Sequence, residues 1–160
     1  MNSEPNMVSS EVNQISNFYS YSEYLAAGGQ PTPEQIIRLK DEGFVLIVNI
    51  SPASAKNALH NEHQLVENSG MDYIHLPVDC SNLRDFHYNS FRSIMKMADG
   101  KKTFVHCGGN IKTSNLIHMY DVLERKADET ESLKILKRIQ EPEEKWFTFF
   151  RLMGMQGLNN

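Results

Sequence analysis

The 160 residues are 40% hydrophobic and 22% charged, which suits one globular domain with its own core and leaves little room for two. A net charge of -4, with no Lys/Arg-rich run, argues against a nucleic-acid partner, and no apolar stretch approaches the roughly 20 residues that would span a bilayer. The start, Met-Asn-Ser-Glu-Pro-Asn, lacks the basic and apolar regions of a signal peptide, so a cytoplasmic protein with reduced thiols is expected.

Residues 1–15 are polar and aperiodic and read as a loose N-terminal arm, with 16–160 forming a single domain. Aromatic residues at two- and three-residue spacings from Phe18 to Tyr24 suit a short early strand or turn, which Gly28-Gly29-Gln30-Pro31 ends. Thr32-Pro33-Glu34-Gln35 is a capping box with proline at the first helical position, so a helix is predicted over 33–42, stopped by Gly43. The run from Phe44 to Ile50 is continuously apolar and rich in β-branched residues, the pattern of a strand buried on both faces, and it belongs in the sheet centre.

A polar helix is expected over about 56–68 and a strand over 72–78, its pairing ended by Pro77. Phe91, Ile94, Met95 and Ala98 share one face of a helix that begins near His87, and 102–106 is a third strand. Apolar stripes at Leu116, Ile117, Tyr120 and Leu123, at Leu133, Leu136 and Ile139, and at Trp146, Phe149, Phe150 and Met153 mark three more helices. Pro142 suits the first turn of the last one. Strands alternating with helices predict an α/β fold with a central, mainly parallel sheet flanked by helices.

Cys107 stands directly after a predicted strand and is followed by Gly108, Gly109 and a helix. Glycines let such a loop curl tightly, and the helix N-terminus adds a positive end, so backbone amides converge on an anion or a thiolate. Asn110, Ile111, Lys112 and Thr113 complete the predicted anion loop. Thr113 or Ser114 could donate a hydroxyl to the sulfur, and His106 is expected to order the loop through its ring nitrogens. The alternative is a small cysteine packed at a strand end.

Val105-His106-Cys107, the glycine loop, a cation and a hydroxyl together resemble the phosphate-binding loop of protein tyrosine and dual-specificity phosphatases. Gly29-Gln-Pro-Thr-Pro-Glu-Gln-Ile, Gly43-Phe-Val-Leu-Ile-Val-Asn-Ile and Leu76-Pro-Val-Asp extend the likeness over about residues 16–125. They resemble a bacterial tyrosine-phosphatase-like family whose members are sometimes fused to β-lactamase-like hydrolases. The resemblance implies a cysteine-phosphatase-like fold and a phosphotyrosine-like or small phosphoester substrate, on a small molecule or a phosphoprotein. It further implies that Cys107 attacks phosphorus to form a phosphocysteine, which water releases, with no cofactor and no metal. Asp79 matches the family's general acid, with Asp85 in reserve. The family places Arg after the loop, where this chain has Lys112 in the shorter spacing and Thr113 in the longer. Lysine is a point charge and cannot grip two oxygens in one plane as Arg does.

Two other readings follow: a catalytically weak phosphate-binding pseudophosphatase, and a rhodanese-like sulfurtransferase, whose persulfide cysteine also opens a tight loop. Cys80, beside Asp79, is a candidate resolving thiol. His60 and His63 would share a helix face but read as solvated rather than as a metal pair.

Overall fold

The structure, a computed structural model, describes residues 10–159. Helices α1 (Ser10–Asn13) and α2 (Pro33–Asp41) flank strands β1 (Tyr19–Ser22) and β2 (Leu25–Gly28); then come β3 (Leu46–Asn49), α3 (Glu62–Asn68) and β4 (Asp72–His75). A short 3-10 turn (Cys80–Asn82) leads into α4 (Asp85–Met97), β5 (Thr103–His106), α5 (Ile111–Leu123), α6 (Glu129–Ile139) and α7 (Glu144–Leu152). The five strands are ordered β1-β2-β5-β3-β4. Only the β1–β2 pair is antiparallel; β2, β5, β3 and β4 run parallel.

Strand alternation distributes the apolar side chains to two cores. Ile47 and Phe104 point to one face, where Val12, Ile15, Ile36, Leu39 and Val66 of α1 to α3 and their flanks cover them. Leu46, Val48 and Val105 point to the other, under Phe91 of α4, Leu116 and Ile117 of α5, Leu136 of α6 and Trp146 and Phe150 of α7. All four residues of β3 and of β5 are buried, as strands covered on both sides require. The predicted capping box is formed at α2: Gln35 N donates to Thr32 Oγ1 and Thr32 N to Gln35 Oε1.

Four expectations need correction. Residues 1–9 lie outside the described residues, but 10–15 are no loose arm, because Val12 and Ile15 enter the α1–α2 core with less than 3% exposure. The middle strand is β5 rather than β3. Helix α3 starts only at Glu62; residues 51–61 form turns, and Asn57 is drawn into a long-range hydrogen bond instead of a helical turn. His60 therefore precedes α3, and His63 pairs with Glu67. Finally, Pro142 lies ahead of the α7 N-cap, Glu143, rather than within the helix.

The parallel register aligns Gly28, His106, Asn49 and His75 at the carboxyl ends of β2, β5, β3 and β4. The loops leaving that edge are where open α/β sheets place their binding sites.

Candidate active site

Cys107 leaves β5 with 2% exposure, and Asn110 then takes the left-handed conformation (φ 65°, ψ 25°) that turns the chain into α5. Asparagine tolerates that conformation better than most residues, and the Asn110 amide fixes the bend by donating to Asn17 O at 2.8 Å. The carbonyls of Gly108 and Gly109 have donors from distant parts of the chain, and that of Asn110 has one from the first turn of α5. Gly108 O accepts from Gln30 N and Asn57 Nδ2, both at 3.1 Å, and Gly109 O accepts from Asn17 Nδ2 at 3.0 Å. Asn110 O accepts from Ser114 Oγ at 2.5 Å.

Because C=O and N–H point oppositely across a trans peptide, the donors on the Gly108 and Asn110 carbonyls put the amides of Gly109 and Ile111 on the other side of their peptide planes, while an antiparallel bridge between Gly29 and Gly109 keeps the chain at this point against the end of β2. Ile111 and Lys112 open α5, so their amides lack intrahelical acceptors. The loop can occur only because glycine follows β2: a Cβ at Gly29 would lie 2.7 Å from Gly108 O.

Lys112 Nζ donates to Val78 O at 2.8 Å, which ties the start of α5 to the segment that carries Asp79. Thr113 is fully buried and its hydroxyl has no hydrogen-bond partner. Ser114 does not serve the sulfur as its donor, since its hydroxyl goes to Asn110 O and accepts from Gln140 Nε2 at 3.0 Å. Asp79 is exposed and caps the 3-10 turn, accepting from Ser81 Oγ at 2.7 Å and Ser81 N at 3.0 Å. Those bonds, helped by the charges of Lys112 and His87, hold its carboxyl below the usual aspartate range. Asp85 opens α4 and is exposed.

No protein-family model and no curated protein matches the sequence. Among solved structures, the chain is similar to a DUF442 protein of Shewanella putrefaciens CN-32, named as an inferred phosphatase. The TM-score is 0.77 and identity 25%, over 89% of this chain and 93% of that one. TpbA of Pseudomonas aeruginosa, solved with phosphotyrosine, superposes with a TM-score of 0.70 at 16% identity, covering 88% and 85% of the two chains. The core catalytic domain of the S. cerevisiae PP-IP phosphatase SIW14, solved with citrate, gives 0.71 at 13% identity, covering 86% and 85%.

The chain has the fold of the protein tyrosine phosphatase superfamily. Within this phosphatase fold, His106 is fully buried behind the loop, its Nδ1 3.3 Å from Cys107 O and its Nε2 2.5 Å from Glu62 Oε2. Gln30 Nε2 donates to the other Glu62 oxygen at 2.7 Å. Both cysteines are free thiols; Cys80 is half-buried on the 3-10 turn, with Lys145 Nζ 4.0 Å from its sulfur. Among the described residues no cluster of three His, Cys, Asp or Glu could hold a metal, and no helix is long and apolar enough to cross a membrane.

Sequence reasoning missed Asn17, Gln30, Asn57, Glu62 and Gln140 as parts of the candidate site. Gln30 stood inside the Gly29-Gln-Pro-Thr motif. Glu62 carried no signal beyond a charge inside a predicted polar helix, and the two asparagines reach the loop from 92 and 51 residues away.

Proposed function

We propose that the protein is a cysteine-dependent phosphatase acting on a phosphotyrosine-like or small phosphoester substrate. The observation that carries this is that Gln30, Asn57 and Asn17 hold the Gly108 and Gly109 carbonyls, while the same short loop joins Cys107 to the N-terminus of α5, whose first amides have no intrahelical acceptor. A phosphoryl group seated there has its oxygens on N–H donors, with Gly108, Gly109, Asn110, Ile111, Lys112 and Thr113 as the cradle. The Cys107 thiolate attacks phosphorus as the bond to the leaving oxygen breaks, and water then cleaves the phosphocysteine. Preorganised donors of this kind stabilise charge as it develops in the transition state.

Asp79 is the proposed acid. In the conformation described its carboxylate is committed to Ser81, so proton delivery requires it to leave that bond and turn to the leaving oxygen. Lys112 supplies the charge that arginine gives relatives with the arginine loop, and to reach an anion it exchanges Val78 O for a phosphate oxygen.

The bond from Lys112 to Val78 O and the ionised state of Asp79 favour a second reading, a phosphate-binding domain with weak turnover. Hydrolysis of p-nitrophenyl phosphate by the parent, Cys107→Ser and Lys112→Arg separates the two. The phosphatase reading expects activity that Cys107→Ser abolishes and Lys112→Arg raises. A parent rate equal to that of Cys107→Ser leaves the binding reading, and saturable protection of the loop by inorganic phosphate then defines it.

A further inference from the structure

One buried carboxylate braces the side chains of two residues that bond loop carbonyls on either side of the Cys107–Gly108 peptide. Cys107 O faces His106 Nδ1 and Gly108 O faces Gln30 N. The side chains of His106 and Gln30 converge on the two oxygens of Glu62, at 2.5 and 2.7 Å. Glu62 is 2% exposed and His106 fully buried, so water does not compete for either contact. Because a carbonyl oxygen carries no hydrogen, His106 Nδ1 is the donor to Cys107 O, and the remaining proton of the pair lies between Nε2 and Oε2.

We infer that Glu62 is a positioning residue of the active site: from the first turn of α3 it fixes His106 and Gln30 together, and through them it sets the direction of the Cys107 and Gly108 carbonyls. Glu62 touches the loop only through these two residues. Its two oxygens are what lets one side chain hold a β5 residue and the chain leaving β2 at the same time. With Glu62 removed, the His106 ring loses its outer anchor and Gln30 one of its two side-chain acceptors, Pro31 O remaining; the Cys107 carbonyl is freed to rotate, while Gly108 O, still held by Asn57 Nδ2, is loosened less. The Gly108 amide, across the peptide from the Cys107 carbonyl, then rotates by the same peptide geometry and disturbs the loop that follows it. Glutamine preserves the arrangement, because its oxygen accepts from Gln30 and its amide donates to His106 Nε2.

The inference rests on the phosphatase reading only for its kinetic consequence, so the deciding measurement is independent of turnover. Amide hydrogen exchange over 105–113 is followed by peptide mass spectrometry on the full chain, as the parent, Glu62→Ala, Glu62→Gln and Gln30→Leu. Glu62→Ala is expected to speed exchange in this segment by about tenfold or more, with α6 unaffected. Glu62→Gln is expected to stay within about twofold of the parent, and Gln30→Leu to fall between. If the parent hydrolyses p-nitrophenyl phosphate, Glu62→Ala lowers kcat more than it raises KM, and Glu62→Gln restores it. Parent-like exchange in a folded Glu62→Ala protein overturns the inference, as does a Glu62→Gln protein as fast as Glu62→Ala. Should Glu62→Ala not fold, Gln30→Leu decides: parent-like exchange over 105–113 refutes the role, and acceleration confined to that segment supports it. An inactive parent removes the phosphatase reading and leaves the exchange result standing.

Discussion

Gly29 and Gly108 meet so closely that a single methyl group would not fit between them: a Cβ on Gly29 would stand 2.7 Å from Gly108 O and 3.1 Å from the Ser16 Cβ. The nearer obstacle is backbone, so the clash cannot be relieved by rotating a side chain. Gly29→Ala is therefore expected to cost about 1–3 kcal/mol of stability and to push the Cys107 loop out of register with β2. Urea unfolding checks the first effect. Inorganic phosphate affinity, which should fall by roughly tenfold if the loop is the binding site, checks the second. Unchanged stability would mean that the approach of β2 to the loop is looser than described.

The Asp79 carboxylate is held ionised chiefly by Ser81, with Lys112 and His87 adding weaker charge effects. Ser81→Ala removes the hydroxyl donor and should raise the Asp79 titration midpoint toward the ordinary aspartate value. Lys112→Met should raise it less. Carboxyl-carbon NMR of labelled aspartate reads both directly. Since Asp79 is fully exposed, neither change should alter global stability measurably. A larger shift from Lys112→Met than from Ser81→Ala would make the lysine charge, and not the serine hydrogen bonds, the main cause of the lowered midpoint.

Asn17 and Asn57 reach the loop from distant parts of the chain and hold adjacent carbonyls, Gly109 O at 3.0 Å and Gly108 O at 3.1 Å. Each bond is exposed, so Asn57→Ala should cost at most about 1 kcal/mol in stability while still weakening phosphate binding. Asn17→Ala should do more, because Asn17 has a left-handed φ of 50°, a conformation alanine disfavours, and a shift of the backbone there also displaces the Asn17 carbonyl that accepts the Asn110 side-chain amide. Isothermal titration with inorganic phosphate ranks the two variants. Equal binding by both and the parent would place the anion elsewhere.

The elements legible in the sequence were those whose signals are local. Thr32 to Gln35 announced α2 by a cap that is formed as written, and Phe44 to Ile50 announced a strand covered on both faces. Cys107, its glycines and α5 were legible for the same reason, since strand, loop and helix are contiguous. What the sequence hid was long-range. Val12 and Ile15 looked like scattered apolar residues in a polar arm until β2 and α2 supplied the surface they bury against. Glu62 looked like one more surface acid, and only folding brings it to His106, 44 residues further along the chain. The Lys56 to Asn61 stretch read as helix from composition, but Asn57 gains a tertiary acceptor that a helical turn would withhold.

Buried His118 and partly buried Asp121 on α5 give pH effects that oppose each other. His118 on α5, with Nδ1 2.7 Å from Ser132 Oγ and its ring against Phe150, is held neutral by burial, which lowers its pKa from 6.5 to about 4. The unfolded chain binds that proton first as acid is added. The contribution of His118 is therefore complete above pH 6.5 and is lost as pH falls toward about 4. Asp121, one turn on, is raised by burial from 3.8 to about 6, with Arg125 opposing. Here the folded chain keeps the proton longer, so stability is greatest below 3.8 and is lost as pH rises through about 6. At roughly 1.4 kcal/mol per pKa unit each group accounts for about 3 kcal/mol, of opposite sign. The parent should thus be nearly flat in stability between about pH 4 and 6 as far as this pair is concerned. Asp121→Asn removes one slope and should expose the other: urea unfolding of that variant should show stability rising by about 3 kcal/mol on going from about pH 4 to about 6.5. His118→Gln should show the reverse trend, falling over the same interval. A flat Asp121→Asn profile would falsify a buried neutral His118, and opposite slopes in the two variants are the signature that distinguishes mutual cancellation from the absence of both effects.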